Sequence, residues 1–121
     1  MKYTFRIIMM FIELSKSQKR IARELIDSSL QKECTRFLEE IEQSTSNQNK
    51  KSPYEAYLEL YKKVDAFEKH IAKRYDDLRG SNYFIVIIGL FLDEVLTMED
   101  LNLFDEDMRK KILNAAKILN Q

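Results

Sequence analysis

The sequence predicts an all-α protein, a single-domain bundle of about five helices. Only two glycines and one proline occur in 121 residues, whereas an all-β fold needs turn residues about every 8–12 positions. Apolar residues recur at three- and four-residue steps, as on one face of a helix. The segment Tyr83–Leu96 begins with ten residues whose only polar side-chain group is the tyrosine hydroxyl. We therefore expect residues 83–96 to form the buried central helix.

The N-terminal residues 3–43 carry a long apolar stripe with one weak point. Helical spacing predicts a first helix over Phe5–Leu14, although alternating apolar residues there also fit a strand. Serines near Ser15 and Ser17 lower helix propensity, so the segment forms either one kinked helix or two, with Ser17 capping the second. The later stripe residues are Ile21, Leu25, Leu30, Cys34, Phe37, Leu38 and Ile41.

A polar loop at residues 44–52 separates an N-terminal helical hairpin from the helices of residues 53–121, because this stretch contains no apolar side chain. A helix start follows it, with Ser52 as the cap, Pro53 at the first position and Glu55 completing a capping box. We expect Gly80 to end this helix in a left-handed conformation. The near-heptad seam of the helix is Tyr57, Leu60, Val64, Phe67, Ile71, Tyr75 and Leu78.

The central segment also fits a buried strand, because Ile85–Ile88 are β-branched. A single strand without a partner would leave its backbone groups unpaired. Continuation through Asp93–Leu96 gives a length that suits a helix. The apolar run of ten residues is far shorter than the ~20 residues that span a bilayer, so no membrane span is expected.

Two further capping signatures follow in the C-terminal part. Thr97 and Asp100 predict a short helical turn that runs through Leu103, and Asp105 predicts the start of a last helix. Acidic residues fill the first turn of that helix and lysines come later, an order that suits the helix dipole. Its apolar stripe is Met108, Ile112, Ala115 or Ala116, and Leu119.

Composition excludes some functional classes. The chain has 20 basic and 20 acidic residues, and this balance argues against a general nucleic-acid binder. Its single cysteine, Cys34, cannot form an internal disulfide, which favours a reduced, cytoplasmic setting. Lys2 and Arg6 precede an apolar run, but Glu13 interrupts that run and no cleavage site follows, so we expect no signal peptide.

No motif for catalysis, metal binding or cofactor binding is present. His70 is the only histidine, and its surroundings match neither a nucleophilic triad nor a zinc or di-iron site. Neighbouring acids on a helix point about 100° apart and do not converge. With only two glycines, a phosphate-binding loop is absent. We therefore expect a protein that is not an enzyme, with no metal, no cofactor and no small-molecule substrate.

Charge is distributed unevenly along the chain. Residues 93–107 contain seven acids and no Lys or Arg, a density that could steer a basic partner. Alternatively, helix ends and loops simply collect acids. Residues 16–23 contain four bases and no acid, and this cluster could contact phosphate. The acids are Asp93, Glu94, Glu99, Asp100, Asp105, Glu106 and Asp107, and the bases are Lys16, Lys19, Arg20 and Arg23.

The C-terminal third resembles a known family. An apolar helix ends in L-D-E-V-L, an acidic loop follows, and L-F-D-E-D-M opens a helix that closes with I-L-N-A-A-K-I-L. This order is similar to that of the small helical immunity proteins of bacterial contact-dependent growth inhibition and related toxin systems. The resemblance implies a protein that binds and neutralises a cognate toxin domain, often a nuclease.

The sequence thus favours a non-enzymatic protein-binding module, an immunity-type inhibitor that covers a basic toxin or nuclease domain with its seven acids. The alternative is a small transcriptional or nucleic-acid-associated regulator that uses the Lys16–Arg23 cluster. A homodimer built on the seam of residues 57–78 is a further alternative.

Overall fold

The computed structural model describes residues 12–46 and 52–120, and within these ranges it is 79% helical and contains no strand. The all-α prediction is therefore confirmed. Residues 5–11 of the predicted helix Phe5–Leu14 lie outside the described residues, and residues 12–15 are not helical. The helices of the described ranges are α1 (Lys16–Ser46), α2 (Pro53–Tyr75), α3 (Tyr83–Leu92), α4 (Met98–Leu101) and α5 (Glu106–Leu119).

The described residues divide into two compact units. The first unit contains residues 12–29 and 78–120, and the second contains residues 30–46 and 52–77. Helix α1 contributes its first part to the first unit and its remainder to the second. The first unit also holds α3, α4 and α5, whereas α2 belongs to the second.

A reciprocal capping box begins α1. The Ser15 hydroxyl accepts a hydrogen bond from the Gln18 backbone N–H (3.2 Å), and the Gln18 side chain accepts one from the Ser15 N–H (2.7 Å). The prediction that Ser17 caps this helix was wrong, because Ser17 lies inside α1. Only Ser15 has a glutamine three residues later to return the hydrogen bond.

The other end of α1 runs further than predicted, since residues 44–46 of the expected loop are helical. The hydroxyls of Thr45 and Ser46 donate hydrogen bonds to the Glu42 carbonyl (3.0 and 2.8 Å). These side-chain bonds add to the backbone hydrogen bond of the Glu42 carbonyl and bring both hydroxyls onto the last turn of the helix.

Helix α3 supplies much of the core of the first unit, as its sequence predicts. Phe84, Ile87, Ile88 and Leu90 are each at most 2% exposed. Helix α5 contacts α3 and buries the expected stripe from Met108 to Ala116. The part of α1 in this unit buries Ala22, Leu25 and Ile26.

Helix α3 ends at Leu92, four residues earlier than the predicted Leu96. The Val95 N–H donates to the Leu90 carbonyl (2.9 Å), and the Glu94 N–H donates to the Phe91 carbonyl (3.1 Å). This pair of bonds is the Schellman motif, which requires a left-handed residue after the helix. Glu94 takes that conformation with a φ of 60°. Val95 and Leu96 remain buried beyond the turn.

The second unit is an antiparallel pair formed by α2 and the end of α1. The rings of Phe37 and Phe67 stack with their centroids 4.1 Å apart. Lys63 donates to Ser44 (3.0 Å) on one side of this stack, and Glu33 lies against the C-terminal end of α2 on the other. Across these contacts the residue numbers rise along α1 from 33 to 44 while those of the α2 partners fall from 74 to 63, so the two helices run antiparallel.

The predicted Ser52 cap and Pro53 start of α2 are confirmed, since the Ser52 hydroxyl accepts from the Glu55 N–H (3.2 Å) and Pro53 is at the first position. It ends at Tyr75 in a right-handed cap at Asp76. The prediction of a left-handed Gly80 was wrong, because Glu94 alone among the described residues has a positive φ in that region. Asp76 satisfies the helix end by donating its N–H to the Ala72 carbonyl (3.0 Å).

Candidate functional site

All seven predicted acids lie in the first unit, from the end of α3 to the first turn of α5. Six are exposed and Asp100 is half-buried. We call the segment Asp93–Asp107 the acidic surface. Its backbone is fixed by two short-range devices, the Schellman turn at Glu94 and the capping box at Thr97.

Two of the acids have structural roles. Asp100 completes the capping box of α4 by accepting hydrogen bonds from the Thr97 N–H (2.8 Å) and the Thr97 hydroxyl (3.1 Å). Asp105 caps α5 by accepting from the Met108 N–H (2.8 Å), as predicted, and its other oxygen accepts from the Gln18 side chain (3.3 Å). These two carboxylates hold the surface in shape.

Two other acids pair with lysines one turn along α5. Glu106 lies 3.2 Å from Lys110, and Asp107 lies 3.3 Å from Lys111. The carboxyl side chains are 70% and 82% exposed. Exposed pairs of this kind contribute little to stability, so a charged partner could replace the lysines at small cost.

Two large apolar side chains interrupt the acids. Met98 is 52% exposed and Leu103 is 59% exposed. Their neighbours Leu101 and Phe104 are buried, because one turn of helix can turn only one side toward the core. An apolar centre with a charged rim is typical of protein interfaces. Neither residue was predicted from the sequence, although a short helix such as α4 can bury only some of the apolar residues in and next to it.

The basic cluster of residues 16–23 lies on the first turns of α1. Arg20 and Arg23 each approach an acid four residues later, Glu24 and Asp27, at 3.8 Å. Arg23 also donates to the Tyr83 hydroxyl (3.2 Å), and this hydrogen bond is the main reason that the pKa of its guanidinium is raised. Two of the four bases thus have acidic neighbours, which reduces the positive field offered to a phosphate.

A polar cluster in the second unit has no counterpart in the sequence analysis. One carboxylate oxygen of Glu33 contacts His70 (2.7 Å) and Arg74 (2.9 Å), and the other accepts from the Tyr75 hydroxyl. The Glu33 and Arg74 side chains are only 10% and 14% exposed. Arg74 and Tyr75 lie about one helical turn after His70, and this spacing can be read from the sequence, but their partner Glu33 is 37 positions away from His70.

The electrostatics of this cluster support a structural role. Burial would raise the pKa of Glu33, but hydrogen bonds from Tyr75 and His70 and the charge of Arg74 outweigh it and lower that pKa below its usual value. Burial and the bond to Glu33 raise the pKa of Tyr75. Glu33 is therefore held ionised and Tyr75 neutral at neutral pH, and the cluster ties α1 to α2.

Neither a metal-binding cluster nor a bilayer-spanning helix occurs in the part of the chain that the structure describes. There, no group of three or more His, Cys, Asp or Glu side chains is placed to hold a metal ion. None of the helices in the same ranges combines the length and apolar character needed to cross a bilayer.

No protein-family model matches the chain, and comparison with curated proteins and with solved structures finds no match either.

The left-handed Glu94 gives a first test. A residue with a Cβ costs roughly 1–2 kcal/mol in this conformation, and glycine removes the strain but adds unfolded-state entropy. We expect Glu94→Gly to raise the free energy of unfolding in urea by about 0.5–1 kcal/mol. Glu94→Ala removes the same carboxylate but keeps the strain, so it is the matched control. Equal stability of the two variants would contradict the assignment.

The lowered pKa of Glu33 gives a second test. Its stabilising contribution is present above the unfolded pKa, near 4.5, and is lost as pH falls through the lower folded pKa. We expect the free energy of unfolding of the wild type to fall more steeply between pH 6 and about pH 3 than that of Glu33→Gln. At pH 7 this variant should be less stable by about 1–3 kcal/mol. Glu39→Gln, an exposed change on the same helix, should match the wild type in both respects.

Proposed function

We propose that this chain is a non-enzymatic protein-binding module that covers a basic surface of a cognate protein with its acidic surface. The specific form that we favour is an immunity-type inhibitor of a toxin domain, such as a nuclease, acting in the bacterial cytoplasm. The carrying observation is the composition of Asp93–Asp107, where six exposed acids, one half-buried acid and no Lys or Arg lie on either side of the exposed Met98 and Leu103 along the chain.

The charge of the segment supports a basic partner. Carboxylates within a Debye length of one another reinforce each other's field, and such a field accelerates encounter with a positively charged surface. The same field repels phosphate, so it disfavours nucleic acid as the ligand of this surface. Once charge has aligned the two proteins, Met98 and Leu103 offer apolar area that only contact can bury.

Backbone strain at Glu94 supports the proposal independently. The position after α3 has a left-handed φ that glycine adopts without cost, yet the residue there is one of the seven acids. Strained residues of this kind concentrate at binding and catalytic sites, where function compensates for lost stability. A role for the Glu94 carboxylate in contact with a partner explains why glycine is absent.

A rigid backbone supports inhibition by surface coverage. Caps at Thr97 and Asp105 fix the two turns that carry the acids, so little conformational entropy is lost when a partner binds. Tight, preorganised contact is what an inhibitor needs to exclude a substrate from the partner's own site.

A capture experiment tests the proposal. The wild-type chain is immobilised, host lysate is passed over it, and captured proteins are quantified and their Kd values measured at two salt concentrations. We expect a basic protein whose Kd rises at least about tenfold for Glu99→Gln/Glu106→Gln and rises also with added salt. Leu103→Ser should weaken binding mainly through faster dissociation.

The matched control is Glu39→Gln/Glu42→Gln, which removes two exposed acids from α1 and should leave the Kd unchanged. Equal losses in both double variants would show a non-specific charge effect and contradict the proposal. Capture of nucleic acid that is abolished by Lys19→Glu/Arg20→Glu would instead favour the regulator alternative.

A further inference from the structure

Met98 places an exposed thioether within the acidic surface. Of the two methionines in the described ranges, Met98 is 52% exposed and Met108 is 2% exposed. Met98 is the first residue of α4, and the capping box between Thr97 and Asp100 fixes the backbone there without using the methionine side chain. The Met98 side chain is therefore open to reagents in solvent, on a turn that hydrogen bonds hold in shape.

The core of the first unit does not require a methionine at position 98. Leu101 and Phe104 anchor this stretch with exposures of 0% and 3%, whereas about half of Met98 is accessible. Leucine has nearly the volume and apolar character of methionine, and the two exchange at small cost. What methionine adds is a polarisable sulfur, which adapts to varied partner surfaces and reacts with oxidants.

Met108 gives an internal reference for this reactivity. It is buried on α5, so an oxidant reaches its sulfur only when the first unit opens. The exposed and the buried methionine thus differ in access while they share one chain and one solution. Any difference between their oxidation rates reports the fold.

Oxidation of the thioether changes its polarity and leaves its charge unchanged. A sulfur lone pair attacks one oxygen of hydrogen peroxide, and an S–O bond forms as the O–O bond breaks. The departing hydroxide takes the proton of the transferred oxygen and leaves as water. Sulfur loses two electrons and the peroxide gains them. The product is methionine sulfoxide, which methionine sulfoxide reductases convert back to methionine.

A polar S–O group conflicts with an apolar contact at Met98. Burying that group against a partner without a hydrogen bond costs free energy, so the complex is destabilised. The seven carboxylates keep their charge, and the field that accelerates encounter stays the same. The effect of oxidation should therefore appear in the dissociation rate and not in the association rate.

We propose that Met98 is an oxidation site, and that its conversion to the sulfoxide by a peroxide releases the basic partner from the acidic surface. The release rests on the proposed function, because it assigns a regulation to the same surface. Selective oxidation of Met98 is a property of the free chain and is tested without a partner.

Peptide mapping by mass spectrometry tests the modification. The full chain is treated with hydrogen peroxide, and the sulfoxide at each methionine is followed over time. We expect Met98 to react at least about tenfold faster than Met108 in the folded chain, and at a similar rate in urea, where both are accessible. Equal rates for Met98 and Met108 in the folded chain overturn the assignment.

Binding kinetics test the consequence. The probe is the basic protein captured by the wild-type chain, and its rate constants are measured before and after peroxide treatment. Dithiothreitol is added after the oxidation, because it reverses disulfide and sulfenic forms of Cys34 and leaves the sulfoxide. We expect dissociation to become at least about tenfold faster and association to stay unchanged. Methionine sulfoxide reductase should restore slow dissociation.

Met98→Leu is the matched variant, because it keeps the apolar area and lacks the sulfur. It should bind like the wild type and should not respond to peroxide, although every other methionine, including Met1, Met9 and Met10, is still present. A loss of affinity on oxidation that persists in Met98→Leu arises elsewhere in the chain and overturns the proposal.

The two proposals fail separately. If the basic partner binds through the acids but leaves the Met98 sulfoxide as slowly as it leaves the unmodified chain, the regulation by oxidation is wrong and the proposed function stands. If no basic protein binds the acidic surface, the proposed function fails and the regulatory role of Met98 fails with it.

Discussion

Burial of the apolar segment Tyr83–Leu96 is the constraint on which the first unit depends. None of its ten residues in α3 is exposed and five of them are buried, so the surrounding elements must supply apolar faces. Helix α5 and the start of α1 do so with Met108, Ile112 and Ile26. The segment must also stop inside the unit, because Asp93 and Glu94 cannot be buried without partners. The Schellman turn meets this need by returning Val95 and Leu96 to the core while the two acids face solvent.

The second unit is built on a different interaction. Two helices alone bury little apolar surface, and in this unit Tyr75 is the one buried hydrophobic residue of the described ranges. A carboxylate that accepts hydrogen bonds from three side chains compensates in part, because charge-assisted bonds of low exposure are stronger than surface pairs. Such a hairpin keeps an outer face free. Tyr54, Tyr57 and Tyr61 of α2 are all more than 60% exposed.

Much of the fold follows from local signals in the sequence. Caps at Ser52, Thr97 and Asp105 are short-range patterns whose partners lie three residues away, and all three are present in the structure. The stripe of α5 was predicted for the same reason. One prediction that failed, a left-handed Gly80, depended on where the preceding helix ends and not on a local pattern alone. Gly80 does not adopt the left-handed conformation, because α2 ends before it, with a right-handed cap at Asp76. The left-handed residue is Glu94, because the Schellman motif at the end of α3 requires one at that position.

In the candidate sites too, some features follow from local sequence and others depend on the folded structure. The number of acids in residues 93–107 can be read from the sequence, but their separate roles cannot. Asp100 and Asp105 cap helices, whereas Glu99 and Glu106 are exposed. Met98 and Leu103 become exposed only because α4 is one turn long. Glu33 and its three partners are brought together by the antiparallel pairing of two helices, and no local pattern connects positions so far apart along the chain.

The function that we propose requires a rigid acidic surface that the core holds in place before any partner binds. Amide hydrogen exchange of the free protein tests this claim most directly. The Val95 and Leu96 N–H groups both donate to the Leu90 carbonyl, at 2.9 and 3.1 Å. We expect them to exchange only through global unfolding, with protection equal to the free energy of unfolding measured in urea. Exchange of these two amides near the rate of an unstructured chain would contradict a preorganised surface.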